Sequence, residues 1–310
     1  MLEQIFSTLF SWATLKAALR FTTPILLASL GAIFTARAGV LNLNLEGTML
    51  AAALGGVLGC HYGGSLWTGV LAAILVGVLI AAILAWDGIY MKSNMVLAGT
   101  ALNTFVSGLT IFVLFMITGE KGTSTKLTSY KMPSIDIPLI KNIPVLGEIL
   151  SGHSILTYFA FTCVFIAAFL LFKTAIGLRI RAVGENPDAA ESVGVNVKRI
   201  KAMSLIICGF FASLGGAYLS MDYVTWFQRE MTSGRGFIAL AAMNLGNSHP
   251  VGTMLAAMLF GAAEAIATIL QSLKIPYQLV LMIPYFVTLI GLIVYAIRRE
   301  AKIKKLRMSR

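Results

Sequence analysis

Charge is scarce in this chain. Only 12% of its 310 residues are Asp, Glu, Lys or Arg, against 58% hydrophobic. A soluble domain carries roughly 25% charged residues to cover its surface, so a soluble globular fold is excluded. Cysteine is scarcer still. Cys60, Cys163 and Cys208 form no Cys-x-x-Cys pair, and the last two sit inside apolar runs. No disulfide framework or thiolate metal site follows, and the three read as small buried hydrophobes. His61, His153 and His249 show no metal-ligand spacing, so neither a metal nor a cofactor is expected. Catalytic signatures are missing as well. There is no Gly-x-Ser-x-Gly, no His-Glu-x-x-His and no Gly-x-x-x-x-Gly-Lys-Ser/Thr phosphate loop. Gly119-Glu120-Lys121-Gly122 does not replace that loop, because it lacks the strand and helix on either side. The chain is read as no enzyme, and any ATP must be handled by another protein.

What is present is a series of apolar runs, at about 15–36, 40–60, 66–90, 94–118, 154–175, 202–224, 236–246, 251–272 and 277–297. A spanning helix takes about 20 such residues. The chain therefore has room for about eight to ten transmembrane helices in a single domain over 1–310. The runs lack a period of two, which excludes a β-barrel, and in lipid only helices then satisfy their own backbone. The expected fold is an all-α polytopic bundle in the bilayer. Leu15 to Ala36 reads as a retained span rather than a cleaved leader, since Lys16 and Arg20 lie too far in for a basic n-region. Small residues recur every fourth position, at Ala73, Gly77, Ala81 and Ala85 and again at Ala257, Gly261 and Ala265. Such columns let helices pack closely.

Lys and Arg number 24 against 13 acids, a net charge of +11. No basic stretch is interleaved with stacking aromatics, so nucleic acid is set aside. The excess instead gathers in two islands, Arg179 to Lys201 and the tail from Arg298 to Arg310, which marks the loop 176–201 and the tail 298–310 as cytoplasmic. Segment 119–153 then lies outside, long enough to form an extracellular cap. Run 236–246 is too short to span alone and reads as a half-helix. The side of the N-terminus is open. Nine full spans place it outside, and a break within 37–47 changes the parity.

Two polar stretches interrupt the apolar pattern. Asn42, Asn44 and Glu46 precede Gly47-Thr48-Met49-Leu50-Ala51-Ala52. Asn244, Asn247 and His249 precede Gly252-Thr253-Met254-Leu255-Ala256-Ala257. Interrupted helices in matching positions point to a translocation site. Asn42, Asn44, Glu46, Asn103 and Asn244 are the candidate path residues, with helix tying as the other use of the asparagines. Glu46 either lines a pore or pins a broken helix, and Glu264 suits a pore or a subunit contact equally. In the third polar stretch, 177–201, Asn186 can cap a helix, Pro187 fits its first position, Asp188 suits its positive end and Gly194 follows its last turn. Pro187 to Val193 is therefore expected as a short exposed helix.

Gly184-Glu185-Asn186-Pro187-Asp188-Ala189-Ala190, with Gly194 and the basic Lys198-Arg199, resembles the cytoplasmic coupling loop of bacterial ABC import permeases. The subfamily is the one carrying branched-chain amino acids, simple sugars and nucleosides. Arg37 to Gly47 is similar to its R-x-G-x-x-N-x-x-x-E-G stretch, and Gly234 to Ala241 with His249-Pro250-x-Gly252 to its G-R-G-F-I-A-x-A … H-P-x-G stretch. The Leu45-Glu46-Gly47 form looks closest to the nucleoside and simple-sugar branch. The resemblance implies a type II importer in the bacterial inner membrane. Two permeases, non-identical in the nucleoside branch, form its pore. A cytoplasmic ATPase grips the 184–194 helix, and an extracellular binding (lipo)protein delivers substrate. The competing expectation is an ion-coupled secondary transporter of a small polar solute.

Overall fold

The structure, a computed structural model, describes residues 12–136 and 151–272, together with positions 286, 289–291 and 293. The apolar run 277–297 and the tail 298–310 fall largely outside the described residues.

The apolar runs form helices whose lengths follow their composition. They are α1 (Trp12–Arg37), α2 (Leu45–Gly63), α3 (Leu66–Ala85), α4 (Met95–Thr118), α5 (Ile155–Lys173), α6 (Ala175–Glu185), α7 (Pro187–Ser192), α8 (Val197–Tyr218), α9 (Arg235–Leu245) and α10 (Pro250–Ser272). Single π-turns extend α3 through Tyr90 and α8 through Tyr223. Six helices among the described residues are long and apolar enough to cross a membrane. The 19-residue α2 is a further long helix, made less apolar by Glu46 and His61. The 11-residue α9 is about 16 Å long, roughly half of the ~30 Å hydrocarbon core, as its short apolar run requires. The run 40–60 differs from its reading as one span: residues 38–44 are non-helical and α2 begins only at Leu45.

α1 is the axis of the bundle. Its residues from Phe21 to Thr35 are all buried, against α8, α10, α9 and α5. It runs antiparallel to α8. Phe21 meets Tyr223 at 5.4 Å near one face, and Phe34 stacks on Phe211 at 6.1 Å toward the other. The small-residue columns are packing seams. Gly77 and Ala81 of α3 lie against Ser213 and Gly209 of α8, and Gly261 of α10 lies against Thr22 of α1. At the opposite pole, α4 leaves most of its surface uncovered, with Phe105, Phe112, Phe115 and Met116 exposed, which suits a peripheral helix facing lipid.

The chain crosses back and forth, so the ends of the helices sort onto two faces. One, the basic face, carries α6, α7 and the start of α8. The other carries Trp12, Gly63 and the 119–136 segment. That segment folds onto the α8–α9 connection: Ser124 and Phe227 exchange backbone and side-chain hydrogen bonds at 2.8 and 2.9 Å, and β1 (Ser134–Ile135) pairs antiparallel with β2 (His153–Ser154).

Candidate functional site

The interruption between α1 and α2 organises the site. α1 ends in a left-handed turn at Gly39, φ 68°, and the chain then crosses the bundle without helical bonds. Its polar groups need partners there, and the asparagines supply them. Asn42 is buried; its Oδ1 accepts the Asn44 N–H at 2.9 Å and its amide reaches Cys208 Sγ at 3.3 Å. Asn103, from α4, donates to the Leu43 carbonyl at 2.8 Å and accepts the Gly47 N–H at 2.7 Å. One side chain thus ties the end of the break to the first turn of α2. Asn44 is fully buried and bonds Thr48 within α2.

Glu46 reaches across to α9. Its Oε1 accepts the Gly234 N–H and its Oε2 the Gly236 N–H, each at 2.7 Å. The carboxylate therefore sits on the positive end of the half-helix, where free N–H groups and the helix dipole both favour an anion. Each hydrogen bond to a charged group contributes about 1.5–3 kcal/mol. Two of them offset much of the roughly 2.5–3.5 kcal/mol cost of placing a charged side chain within a membrane bundle. A Cβ on Gly236 would come within 2.5 Å of the Glu46 backbone nitrogen, so only glycine permits this approach. Gly236→Ala is expected to lower thermal stability in detergent and to reduce transport at least tenfold. Gly122→Ala, in a loop where an added Cβ meets nothing within 4 Å, should change neither measurement.

A groove of about 730 Å³ opens beside this clamp, lined by Glu46, Asn103, Thr104, Ser107, Arg229 and Ser233 among others. Asn103, Thr104, Ser107, Gly108 and Ile111 recur at helical spacing, so α4 turns a partly polar stripe to the groove. The lining carries little net charge. Glu46 is taken up by the α9 amides, and Arg229 lies 3.8 Å from Glu230. Glu264, read from sequence as a pore or subunit contact, pairs with Arg235 inside this chain. That burial becomes tolerable because the two charges meet.

On the basic face, α7 forms as its sequence dictates. Asn186 Oδ1 accepts the Ala189 N–H at 3.0 Å, Pro187 is the first helical residue, and Gly194 takes φ 84° after the last turn. Ala190 is buried while Glu185, Asp188, Ala189 and Val193 are exposed. A groove of about 500 Å³ adjoins it, lined by Ile176, Arg179, Val193, Arg199 and Met203 among others. Gly184 lies directly against the Arg37 carbonyl at the end of α1, so this glycine is fixed by close packing.

The structure thus brings Glu46 and Asn103 to the groove and places Asn42 and Asn44 behind it as ties of the break. Asn244 is exposed near the far end of α9, about 14 Å along the helix from Arg235. Thr104, Ser107, Arg229 and Ser233 were not singled out in the sequence. The periodic Thr and Ser on one face of an apolar helix were the available signal.

A polytopic helical bundle with an interrupted helix, a clamped half-helix and an exposed capped helix is the architecture of a transporter membrane subunit. Residues 14–297 match the family described as the branched-chain amino acid transport system / permease component, and this chain belongs to it. It is 36% identical over 300 residues to the guanosine ABC transporter permease protein NupQ of Bacillus subtilis, covering 92% of each chain. It is 32% identical over 288 residues to the nucleoside ABC transporter permease protein NupC of Lactococcus lactis subsp. cremoris, covering 89% of each. Among solved structures, a chain of PsaBC from Streptococcus pneumoniae, in complex with Fab, shares the fold at a TM-score of 0.55 and 13% identity, over 94% of this chain and 95% of that one. The chain is a multi-pass membrane permease of the ABC type.

Proposed function

We propose that this permease forms one wall of the pore of an ATP-driven importer of nucleosides, with simple sugars as the related substrate class. The groove beside the Glu46 clamp is its share of the translocation path. A second permease, a non-identical paralogue, supplies the facing wall. A cytoplasmic ATPase grips α7 through Gly184 to Ala190 and Gly194, and an extracellular binding lipoprotein delivers substrate onto the 119–136 face. The observation that carries the substrate class is the groove's lining: hydroxyls and an amide, with Glu46 held by backbone N–H groups and Arg229 beside Glu230, which suits a neutral polar solute and disfavours an anion. Relatives named for guanosine and nucleoside transport agree with it. An ion-coupled carrier would need a membrane carboxylate free to bind and release a cation; of the acids that meet α9, Glu46 is bonded to its first amides and Glu264 to Arg235.

The basic islands favour a cytoplasmic position for the face of α6 and α7, and thiol labelling tests this orientation. Cys60, Cys163 and Cys208 are buried, so background labelling by an impermeant maleimide should be low. On intact cells a cysteine at Tyr62, exposed on the opposite face, should label, and one at Ser192 should label only after permeabilisation. Labelling at 192 from outside would invert the topology and remove the importer reading.

A further inference from the structure

The basic-face end of α9 holds a second cluster, which neither the groove nor α7 uses. Phe172, near the end of α5, stacks against the His249 ring at 5.2 Å and an interplanar angle of 26°. Two guanidinium groups lie over the same ring, Arg181 at 5.3 Å and Arg37 at 5.9 Å. Arg37 also donates from Nε to the Ser248 carbonyl at 2.9 Å and from Nη2 to the Asn247 carbonyl at 3.3 Å. Asn247 and Ser248 hold φ of 55° and 50°, a left-handed conformation that residues with side chains keep only when their surroundings fix it. The turn that ends α9 is therefore tied to the last residue of α1.

The same residue faces the coupling segment. Arg181 belongs to α6, which leads straight into α7, and Gly184 rests on the Arg37 carbonyl. A partner that shifts α6 and α7 thus pushes on Arg37 at its backbone and at its aromatic seat together. Nine residues further along the same interrupted segment, Glu46 holds the other end of α9 at the groove. α9 is a short helix held at both ends, by the Glu46 carboxylate on its first amides and by the Arg37 guanidinium on the carbonyls of the turn that follows it.

We propose that Arg37 is a positioning residue that passes movement of the α6–α7 segment to the half-helix, with Phe172 as its bearing surface. This rests on the reading that an ATPase grips α7. A chain of contacts alone does not establish coupling. What separates transmission from packing is whether one end can move while the other stays still.

The test uses the full transporter with its ATPase in lipid nanodiscs, in wild-type, Arg37→Gln, Arg37→Lys and Phe172→Leu forms. Arg37→Gln and Phe172→Leu are expected to keep the ATPase bound and basal ATP hydrolysis within twofold, while substrate-stimulated hydrolysis falls at least tenfold. Arg37→Lys, which keeps charge but loses the planar fork, should recover part of it. Spin labels at the exposed positions Val193 and Asn244 read the motion directly. On adding ATP, both should shift in wild type, and only the 193 label should shift in Arg37→Gln. If Arg37→Gln fails to insert, Phe172→Leu carries the same comparison from α5. Stimulation within twofold of wild type in both variants, or a 244 label that still follows ATP in Arg37→Gln, would overturn the proposal. Loss of the bound ATPase from either variant would also overturn it, assigning the cluster to the docking surface. Failure of the gripped-helix reading shows separately, as a wild-type 193 label that ignores both the ATPase and ATP.

Discussion

Ala189→Trp is expected to abolish uptake and substrate-stimulated ATP hydrolysis, with the ATPase no longer co-purifying, while the permease still inserts. The two alanines of α7 are not equivalent. Ala190 is buried against the chain and Ala189 is exposed, so a bulky side chain at 189 meets only the partner. The Asn186 cap and the packing at Gly184 are untouched, and an unpartnered surface position would tolerate the change within about 0.5 kcal/mol. Ala190→Trp makes the contrast. It overpacks a buried site at a cost of about 1–3 kcal/mol and should lower thermal stability before it affects docking. Measuring ATPase retention and the melting midpoint for both variants separates the two. Normal uptake with Ala189→Trp and the ATPase still bound would show that α7 is not gripped.

The second large effect falls on Glu46. Glu46→Gln should cut uptake about tenfold or more without loss of membrane insertion. A glutamine keeps one acceptor but turns an NH2 toward the second backbone N–H, so one of the two clamp bonds is lost. A charged bond contributes about 1.5–3 kcal/mol, and each 1.4 kcal/mol is tenfold in an equilibrium. The half-helix would leave its clamped position in a tenfold or larger share of molecules. Glu46→Ala removes both bonds and should be more severe. Asn244→Ala, remote from the groove, should retain uptake within about twofold. Radiolabelled nucleoside uptake in cells, normalised to membrane-inserted protein, checks all three. Uptake unchanged in both Glu46 variants would detach the clamp from the path.

The fold class was legible because lipid leaves few solutions. Low charge, long apolar runs and no alternation require a helical bundle. The capped helix, expected over 187–193 and observed over 187–192, was also legible, since Asn, Pro, Asp and Gly fall at their preferred positions. The half-helix, observed at 235–245, was visible as the run 236–246, too short to span. What stayed hidden was long-range pairing. Local spacing cannot show that Glu46 closes on amides some 190 residues away, or that Arg235 finds Glu264. Two sequence stretches read separately, Arg37 to Gly47 and Gly234 to Pro250, are one interlock in three dimensions. Asn42 and Asn103 were read as path residues or helix ties, and only the positions of Leu43, Gly47 and Cys208 show what each one ties. Composition also hides the stripe on α4, because Thr104 and Ser107 are two of five hydroxyl residues scattered through a 24-residue apolar helix.

The central claim is that this chain moves its solute only when a separate ATPase drives it. Purified permeases and ATPase, reconstituted in liposomes with the binding protein supplied on the outside, test it with one measurement. Nucleoside uptake should require ATP inside the vesicles, stop when hydrolysis is blocked, and continue in the presence of an uncoupler. Uptake that proceeds without ATP and collapses with the uncoupler would contradict the account and place the chain among ion-coupled carriers.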